Sequence, residues 1–505
     1  MIAVGGNVCV NIIHNNERKM VSKHQKEEGK IENKEYKENE DNKENKDNKE
    51  MSYQIPRILI AGTNSGCGKT TITCGILNAL KKRGYSLSSF KCGPDYIDPM
   101  FHSRVIGAKS SNLDLFFCEE NLVKGLLYEQ SKMSDIAVIE GVMGYYDGST
   151  INSSEGSSHH IASVTNTPVI LIFNCKGMAN SILAMIKGFL TYEPKHQVAG
   201  IILNQIAENV FPAIKEEIEK EFGHKAVVLG GIPRLPVECQ FESRHLGLVT
   251  ADEIQGLQEK LNLLSNVIEK HIDIDLLIHI ANQAEQFMIQ ANWLGINKNT
   301  QKVNIAVAYD KAFCFYYAEN LSLLELLGAK LHYFSPIADK NLPEGMDGLI
   351  LGGGYPELYK KELSENEEMR TSIKKALLQG LPCIAECGGF MYLNQEIEGE
   401  EMVGYLSGSC KNQNKSVRFG YVTLRANKDQ LLTKVSEEIR GHEYHYYDCT
   451  ENGTDFTATK KNGTSWELGI SSDNLYAGYA HLHFYSNISA AKNFVSRCTS
   501  YKQSL

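Results

Sequence analysis

The segment Arg57-Ile58-Leu59-Ile60-Ala61-Gly62-Thr63-Asn64-Ser65-Gly66-Cys67-Gly68-Lys69-Thr70-Thr71 runs from an apolar strand through a glycine-rich turn into a helical pattern. A phosphate-binding loop requires that order, because glycines let backbone N–H groups turn inward and the following helix adds the positive end of its dipole. In this arrangement Asn64, Ser65, Gly66, Cys67, Gly68, Lys69, Thr70 and Thr71 surround the phosphates of ATP; Lys69 carries charge to the β- and γ-phosphates, and the Thr70 hydroxyl reaches Mg²⁺. The match departs from GxxxxGK[ST] at its first position, where Thr63 stands and Gly62 lies one place early. A plain strand-to-helix turn is the alternative, and it leaves Gly68-Lys69-Thr70 after a clear strand without a reason.

Outward from this loop, short β-rich runs alternate with helical patterns, which predicts a doubly wound parallel sheet. The strand candidates are Arg57 to Gly62, Leu87 to Lys91, Asp135 to Glu140, Pro168 to Asn174, Val198 to Asn204 and Ala226 to Gly230, with helices at Lys69 to Lys82, Ala179 to Leu190 and Ala213 to Phe222. The loops after the first three strands carry carboxylates. Glu140 ends its strand beside the phosphate loop and is placed to hold Mg²⁺ directly or through water. Asp147, in Gly141-Val142-Met143-Gly144-Tyr145-Tyr146-Asp147-Gly148, reaches the same nucleotide or an acceptor. Lys91-Cys92-Gly93-Pro94-Asp95-Tyr96-Ile97-Asp98-Pro99 places Asp95 and Asp98 with a lysine on a proline-braced loop, which suits a metal and an anionic acceptor as well as ordinary turn chemistry. In an open parallel sheet these loops leave by one edge, so all four carboxylates are expected to face one cleft.

From about Ser22 to Glu50 the chain is almost all Lys, Glu, Asn and Asp, a mixture that buries too little apolar surface to fold, so residues 1 to 50 read as a disordered, charged extension. Residues 51 to 249 form the phosphate-loop domain. A polar, mostly helical stretch over 250 to 300, with no strand of its own, reads as a connector. A second strand-helix series then starts at Val303-Asn304-Ile305-Ala306-Val307-Ala308 and continues through a helix around Phe315 to Leu327 and strands at Leu331 to Phe334, Gly348 to Leu351 and Pro382 to Ala385. Residues 301 to 505 are therefore a second α/β domain.

This second domain carries Gly352-Gly353-Gly354-Tyr355-Pro356-Glu357, Ala385-Glu386-Cys387-Gly388-Gly389-Phe390 and Gly478-Tyr479-Ala480-His481-Leu482-His483. A cysteine after a short apolar strand and before Gly-Gly has the pattern of a nucleophile elbow, in which a tight turn exposes sulfur and a helix N-terminus lowers its pKa. Gly353 or Gly354 supplies one oxyanion N–H and Gly388 the other. A histidine about a hundred residues downstream deprotonates the thiol and later protonates departing ammonia. Taken singly, each feature has a bland reading: a buried thiol, a core-edge histidine, a turn.

The bulk properties point to small-molecule chemistry. The chain has 505 residues, 42% hydrophobic and 22% charged, which is ordinary for a globular protein of two or three domains. Its net charge of -9 opposes general nucleic-acid binding. No apolar run approaches the roughly 20 residues that cross a bilayer, so the chain reads as cytoplasmic and unanchored. The 13 cysteines show no CxxC pair and no zinc spacing, which argues against a disulfide scaffold and a structural metal and for small buried hydrophobes.

Together the segments GTNSGCGKTT, KCGPDYIDP, EGVMGYYDG, LGGGYPELY and AECGGFMYL resemble the cobyrinate a,c-diamide synthase family, in which a dethiobiotin-synthetase-like P-loop domain is fused to a triad-type class I glutamine amidotransferase domain. Arg418-Phe419-Gly420-Tyr421 and Gly441-His442-Glu443-Tyr444-His445 also look like signatures of that family. The resemblance covers about residues 55 to 500. It implies that ATP and Mg²⁺ activate a carboxylate of a corrinoid or related tetrapyrrole as an acyl phosphate. It implies also that L-glutamine is hydrolysed at Cys387 through a thioester and that ammonia passes internally between the sites, the cycle running at the c and then the a side chain. Triad glutaminases usually carry His-x-Glu, whereas this chain has His481-x-His483. By position His481 is the base and His483 stands in for the third member, with reversed roles left open, as is a homodimer. Hydrogenobyrinate or nickel-sirohydrochlorin as acceptor is the alternative within this chemistry. A regulatory P-loop ATPase with an inactive glutaminase-like module is the alternative outside it.

Overall fold

The computed structural model describes residues 50–225, 227–239, 256–296 and 302–504. The charged extension, apart from Glu50, lies outside the described residues.

Seven parallel strands build the first sheet, in the spatial order Lys109–Leu113, Leu87–Cys92, Ile136–Glu140, Arg57–Gly62, Val169–Asn174, Val198–Asn204, Val227–Ile232. Arg57–Gly62 is central and wholly buried, as expected of a strand covered on both faces. Its side chains alternate between two apolar clusters. Ile58 and Ile60 join Ile72 and Ile76 of the helix Lys69–Lys82, while Leu59 and Ala61 face Ile139, Leu171 and Phe90. The loops following Arg57–Gly62, Leu87–Cys92 and Ile136–Glu140 leave from the same sheet edge because these neighbours are parallel. The last strand lies at Val227–Ile232 rather than Ala226 to Gly230, and Lys109–Leu113 is an edge strand that its polar sequence hides.

The stretch over 250 to 300 is not a strandless connector. The helix Leu257–His271 sends Leu261, Leu264 and Ile268 into the cluster beneath the phosphate-loop helix, and the helix Ile274–Asn282 adds Leu277 and Ala281. Asn78 Nδ2 donates to Ser265 Oγ at 3.1 Å, and Arg83 pairs with Glu269 and Asp275, each at 2.6 Å. Phe287–Gln290 then forms a strand antiparallel to Glu50–Tyr53, so Glu50 belongs to a strand and not to the extension. Four residues of alternating burial are too short a run for periodicity to separate from a turn.

The second domain holds a six-stranded sheet in the order Ala329–Phe334, Val303–Ala308, Gly348–Leu351, Cys383–Glu386, Leu475–Gly478, Ile470–Ser472, parallel except for its last strand. Beside it stands an antiparallel sheet, Ser465–Leu468, Phe456–Thr459, Arg418–Ala426, Glu438–His445, His481–Leu482, which strand-helix alternation did not foretell. A disulfide joins Cys410 to Cys449, a cross-strand pair, so the expectation of no disulfide framework is corrected at this one bond. The other described cysteines are buried and form no disulfide. Among the described residues no helix is long and apolar enough to cross a membrane.

Candidate functional site

The phosphate loop folds back on itself at Gly62, where a Cβ would stand 2.1 Å from Cys67 Sγ. The early glycine that departs from the consensus is thus needed for the buried Cys67 side chain. Asn204 Nδ2 donates to the Cys67 carbonyl at 2.8 Å, fixing the loop from the end of the strand Val198–Asn204, two places along the sheet. Lys69 Nζ donates to the carbonyls of Asn64 at 3.0 Å and Met143 at 2.6 Å, and burial lowers its pKa. Met143 has φ 47°, a left-handed backbone that turns its carbonyl toward this lysine.

The two residues expected at Mg²⁺ meet directly, Thr70 Oγ1 donating to Glu140 Oε1 at 2.6 Å. Around Glu140 the structure assembles groups from three other positions. Lys91 Nζ bonds Glu140 at 2.8 Å and also Asp98, and His102 Nε2 lies 3.4 Å from Glu140 Oε2. Burial pushes the Glu140 carboxyl up, but Lys91 and His102 outweigh it and hold the group well below its ordinary value. For Lys91, burial is likewise overcome by Glu140 and Asp98, and the ammonium is held well above its ordinary value. Asp98 goes up, through burial and the nearby Glu140 charge. Asp95 and Asp147 serve their own turns: Asp95 Oδ1 accepts from Ile97 N at 2.8 Å, and Asp147 Oδ2 from Gly144 N at 2.8 Å. Asp98 and Glu140 therefore share one lysine, while Asp95 and Asp147 flank them on adjacent loops. His102 was not foreseen. It lies beyond the proline-braced motif, and only the fold brings it under Glu140.

Among the described residues no set of three or more His, Cys, Asp or Glu side chains forms a cation cage. A hydroxyl and a single carboxylate, 2.6 Å apart, fit Mg²⁺ that takes its remaining ligands from nucleotide phosphates and water.

In the second domain Cys387 follows the strand Cys383–Glu386 and opens the helix Gly388–Leu393 with φ 49° and ψ −102°, the strained turn of a nucleophile elbow. Its N–H donates to the Gly478 carbonyl at 2.8 Å. Burial pushes the thiol up, and Glu357, Glu386 and Glu443 add to that rise. The glycine loop approaches closely from the adjoining strand. A Cβ on Gly353 would meet His481 Cε1 at 2.2 Å, and one on Gly388 would lie 3.2 Å from Gly354 N, so loop, elbow and histidine converge. Burial, then His442 and His445, lowers the pKa of His481 to about 3, which keeps the imidazole neutral. Its Nδ1 is buried without a hydrogen-bond partner among the described residues.

His483 stands elsewhere. Its Nε2 faces Glu319 Oε1 at 3.2 Å, its Nδ1 faces Cys118 Sγ at 4.0 Å, and its ring stacks on Phe117 with centroids 4.6 Å apart. Both ring nitrogens are directed at other groups, so His483 does not orient His481 as the spacing had led us to expect. Glu319, absent from the motifs, is wholly buried against it.

The two sites touch through Tyr96, the residue between Asp95 and Ile97. Its ring lies 4.4 Å from that of Tyr317, 5.1 Å from His481 and 5.4 Å from Phe315. Tyr421 Oη donates to Asp114 at 2.6 Å, and Arg440 donates to the Phe116 carbonyl at 2.7 Å, binding the antiparallel sheet to the first domain.

Residues 58–248 match the model of the CobQ/CobB/MinD/ParA nucleotide binding domain, and residues 304–488 that of the CobB/CobQ-like glutamine amidotransferase domain. A protein of Caldanaerobacter subterraneus subsp. tengcongensis named cobyrinate a,c-diamide synthase is 40% identical over 452 residues, 88% of this chain and 98% of its own. Proteins of the same name from Clostridium acetobutylicum and Methanobrevibacter smithii are 41% and 38% identical, over 87% of this chain and 99% and 97% of theirs. With an elbow cysteine and a phosphate loop on one chain, and relatives alike over nearly their full length, this chain belongs to the cobyrinate a,c-diamide synthase family.

Proposed function

We propose that this chain catalyses the ATP-driven, glutamine-dependent amidation of the a and c carboxylates of cobyrinate in cobalamin biosynthesis. It is a glutamine-hydrolysing carbon–nitrogen ligase. The observation that carries the reading is the contact through Tyr96, which links the Asp95–Asp98 loop beside Glu140 to His481 beside the elbow. An enzyme that makes ammonia at one site and spends it at the other needs such proximity.

At the elbow, Cys387 Sγ attacks the glutamine amide carbon as His481 takes the thiol proton. The N–H groups of Gly388 and of Gly353 or Gly354 hold the oxyanion. His481 returns the proton to the departing ammonia, and water then releases glutamate from the thioester. His481 is neutral at physiological pH and so has a ring nitrogen free to accept the thiol proton. At the phosphate loop, a side-chain carboxylate of the acceptor takes the γ-phosphoryl group of ATP, with Lys69 beside the transferring phosphoryl. Lys91 and the carboxylates around it set the charge of the acceptor cleft. Thr70 and Glu140 would hold Mg²⁺, which when bound with ATP neutralises phosphate charge. Ammonia displaces phosphate from the acyl phosphate, leaving the carboxamide. The co-substrates ATP and glutamine support a cytoplasmic setting.

Incubating the chain with ATP, Mg²⁺ and L-glutamine, and with cobyrinate, hydrogenobyrinate or nickel-sirohydrochlorin in turn, tests the reading by product mass. Diamidated cobyrinate is expected. ATP hydrolysis with neither glutamate release nor amide formation on any acceptor would replace it with the reading of a regulatory ATPase.

A further inference from the structure

In a triad of nucleophile, histidine and acid, the acid bonds the imidazole nitrogen that faces away from the nucleophile and so fixes the ring. His481 lacks that support. Its Nδ1 is buried without a hydrogen-bond partner among the described residues, and His483, two places on, faces Glu319 instead. A base free to wander would meet the Cys387 thiol only part of the time, so its place has to be set by other means.

The backbone around His481 is held by side chains on both sides. Leu482 N donates to Glu386 Oε1 at 3.1 Å, so the residue before the nucleophile grips the residue after the base. Asn320, buried on the helix Ala318–Leu326, commits both ends of its amide to the same strap. Its Nδ2 donates to the Leu482 carbonyl at 2.8 Å, and its Oδ1 accepts from Phe484 N at 2.9 Å. Tyr476 Oη donates to the Ala480 carbonyl at 3.3 Å, and Glu319 Oε1, beside Asn320, lies 3.2 Å from His483 Nε2. The strap also pairs with Glu438–His445, His481 opposite His442 and Leu482 opposite Gly441.

On this strap the ring has little room. A Cβ on Gly353 would stand 2.2 Å from His481 Cε1, and the Tyr96 ring lies 5.1 Å away, centroid to centroid. With the ring confined by packing, its distance from the sulfur follows the strap. Of the bonds that hold the strap, the one from Glu386 ties it directly to the strand Cys383–Glu386, which ends at the elbow.

We infer that Glu386 is a positioning residue for glutamine hydrolysis: through the Leu482 N–H, and with Asn320 on the helix side, it holds His481 against Cys387 in place of a triad acid. The inference rests on the reading of Cys387 and His481 as nucleophile and base. The bond asks for an acceptor oxygen and no charge, which an amide supplies as well as a carboxyl does.

Glutamate release by the full chain, with ATP, Mg²⁺ and cobyrinate present, is to be measured for Glu386→Leu, Glu386→Gln and Asn320→Ala. Removing the acceptor in Glu386→Leu should lower kcat about 30-fold or more while KM for L-glutamine stays within about threefold, the split expected of a displaced base rather than a lost binding contact. Glu386→Gln, whose side-chain oxygen still accepts from Leu482 N, should keep kcat within about threefold of the wild type. Asn320→Ala, which frees the strap on the helix side, should repeat the loss of kcat at unchanged KM, and it carries the test where Glu386→Leu yields no folded chain. An unchanged kcat in either disrupted variant, a loss in Glu386→Gln as deep as in Glu386→Leu, or a rise in KM that accounts for the whole loss would overturn the inference and leave the glutaminase reading standing. A wild-type chain that releases no glutamate would sink that reading, and the inference with it.

Discussion

Single side chains divide the labour between two chemistries, and substitutions should separate them. Lys69 is held by the Asn64 and Met143 carbonyls at the mouth of the phosphate loop, and phosphoryl transfer precedes amide formation whatever the nitrogen donor. Lys69→Ala should therefore abolish synthesis from glutamine and from ammonium salt alike, while basal glutamate release continues. Near-normal amide formation by this variant would remove the phosphate loop from the mechanism. Buried carboxyls give a second handle. Burial pushes Glu386 up to about 8, against the Leu482 N–H that it accepts at 3.1 Å. Its folded pKa lies above its unfolded value near 4.5, so its contribution to stability is full below that value and is lost as pH rises through about 8. The lowered histidines His442, His445 and His481 have completed their own contributions by about pH 6.5. The melting temperature should accordingly fall between about pH 6.5 and 8.5, and Glu386→Gln, which mimics the protonated acid, should flatten that slope. An unchanged slope would mean that Glu386 ionises freely in the folded chain.

At the scale of elements, what the sequence made legible followed the strength of local patterning. The strands Arg57–Gly62, Ile136–Glu140, Val169–Asn174 and Val198–Asn204 are largely apolar runs, and the elbow cysteine stands between an apolar strand and Gly-Gly. Both signals are local. The polar edge strand Lys109–Leu113 and the four-residue Phe287–Gln290 were not legible, since neither has enough periodicity to mark it. His102 and Glu319, which lie outside every quoted motif, share one cause: each becomes relevant through a partner more than 35 residues away in the chain, Glu140 and His483 respectively. The region over 250 to 300 makes a testable case. Leu264 is wholly buried in the cluster beneath the phosphate-loop helix, so Leu264→Ala should destabilise the chain by about 2–5 kcal/mol in denaturant unfolding of the first domain. A cost below about 0.5 kcal/mol, typical of surface sites, would return this stretch to the role of a connector.

Over the whole molecule, the junction decides whether two activities become one. Tyr96 belongs to the loop that carries Asp95 and Asp98 in the first domain, yet its ring packs against Phe315, Tyr317 and His481 of the second. Its hydroxyl is buried without a hydrogen-bond partner among the described residues. Tyr96→Ala should leave glutamate release largely intact and lower the amide formed per glutamate released, as ammonia escapes at the loosened junction. A ratio unchanged from wild type would place the ammonia route elsewhere. The central claim is that nitrogen released at Cys387 ends in an amide made at the phosphate loop. It is tested most directly by supplying amide-¹⁵N glutamine together with equimolar unlabelled ammonium, ATP, Mg²⁺ and cobyrinate, and weighing the product. The account predicts diamide carrying ¹⁵N at both new positions with the wild-type chain, and only unlabelled diamide with Cys387→Ala. Unlabelled amide from the wild-type chain, or labelled amide from the Cys387→Ala variant, would contradict it.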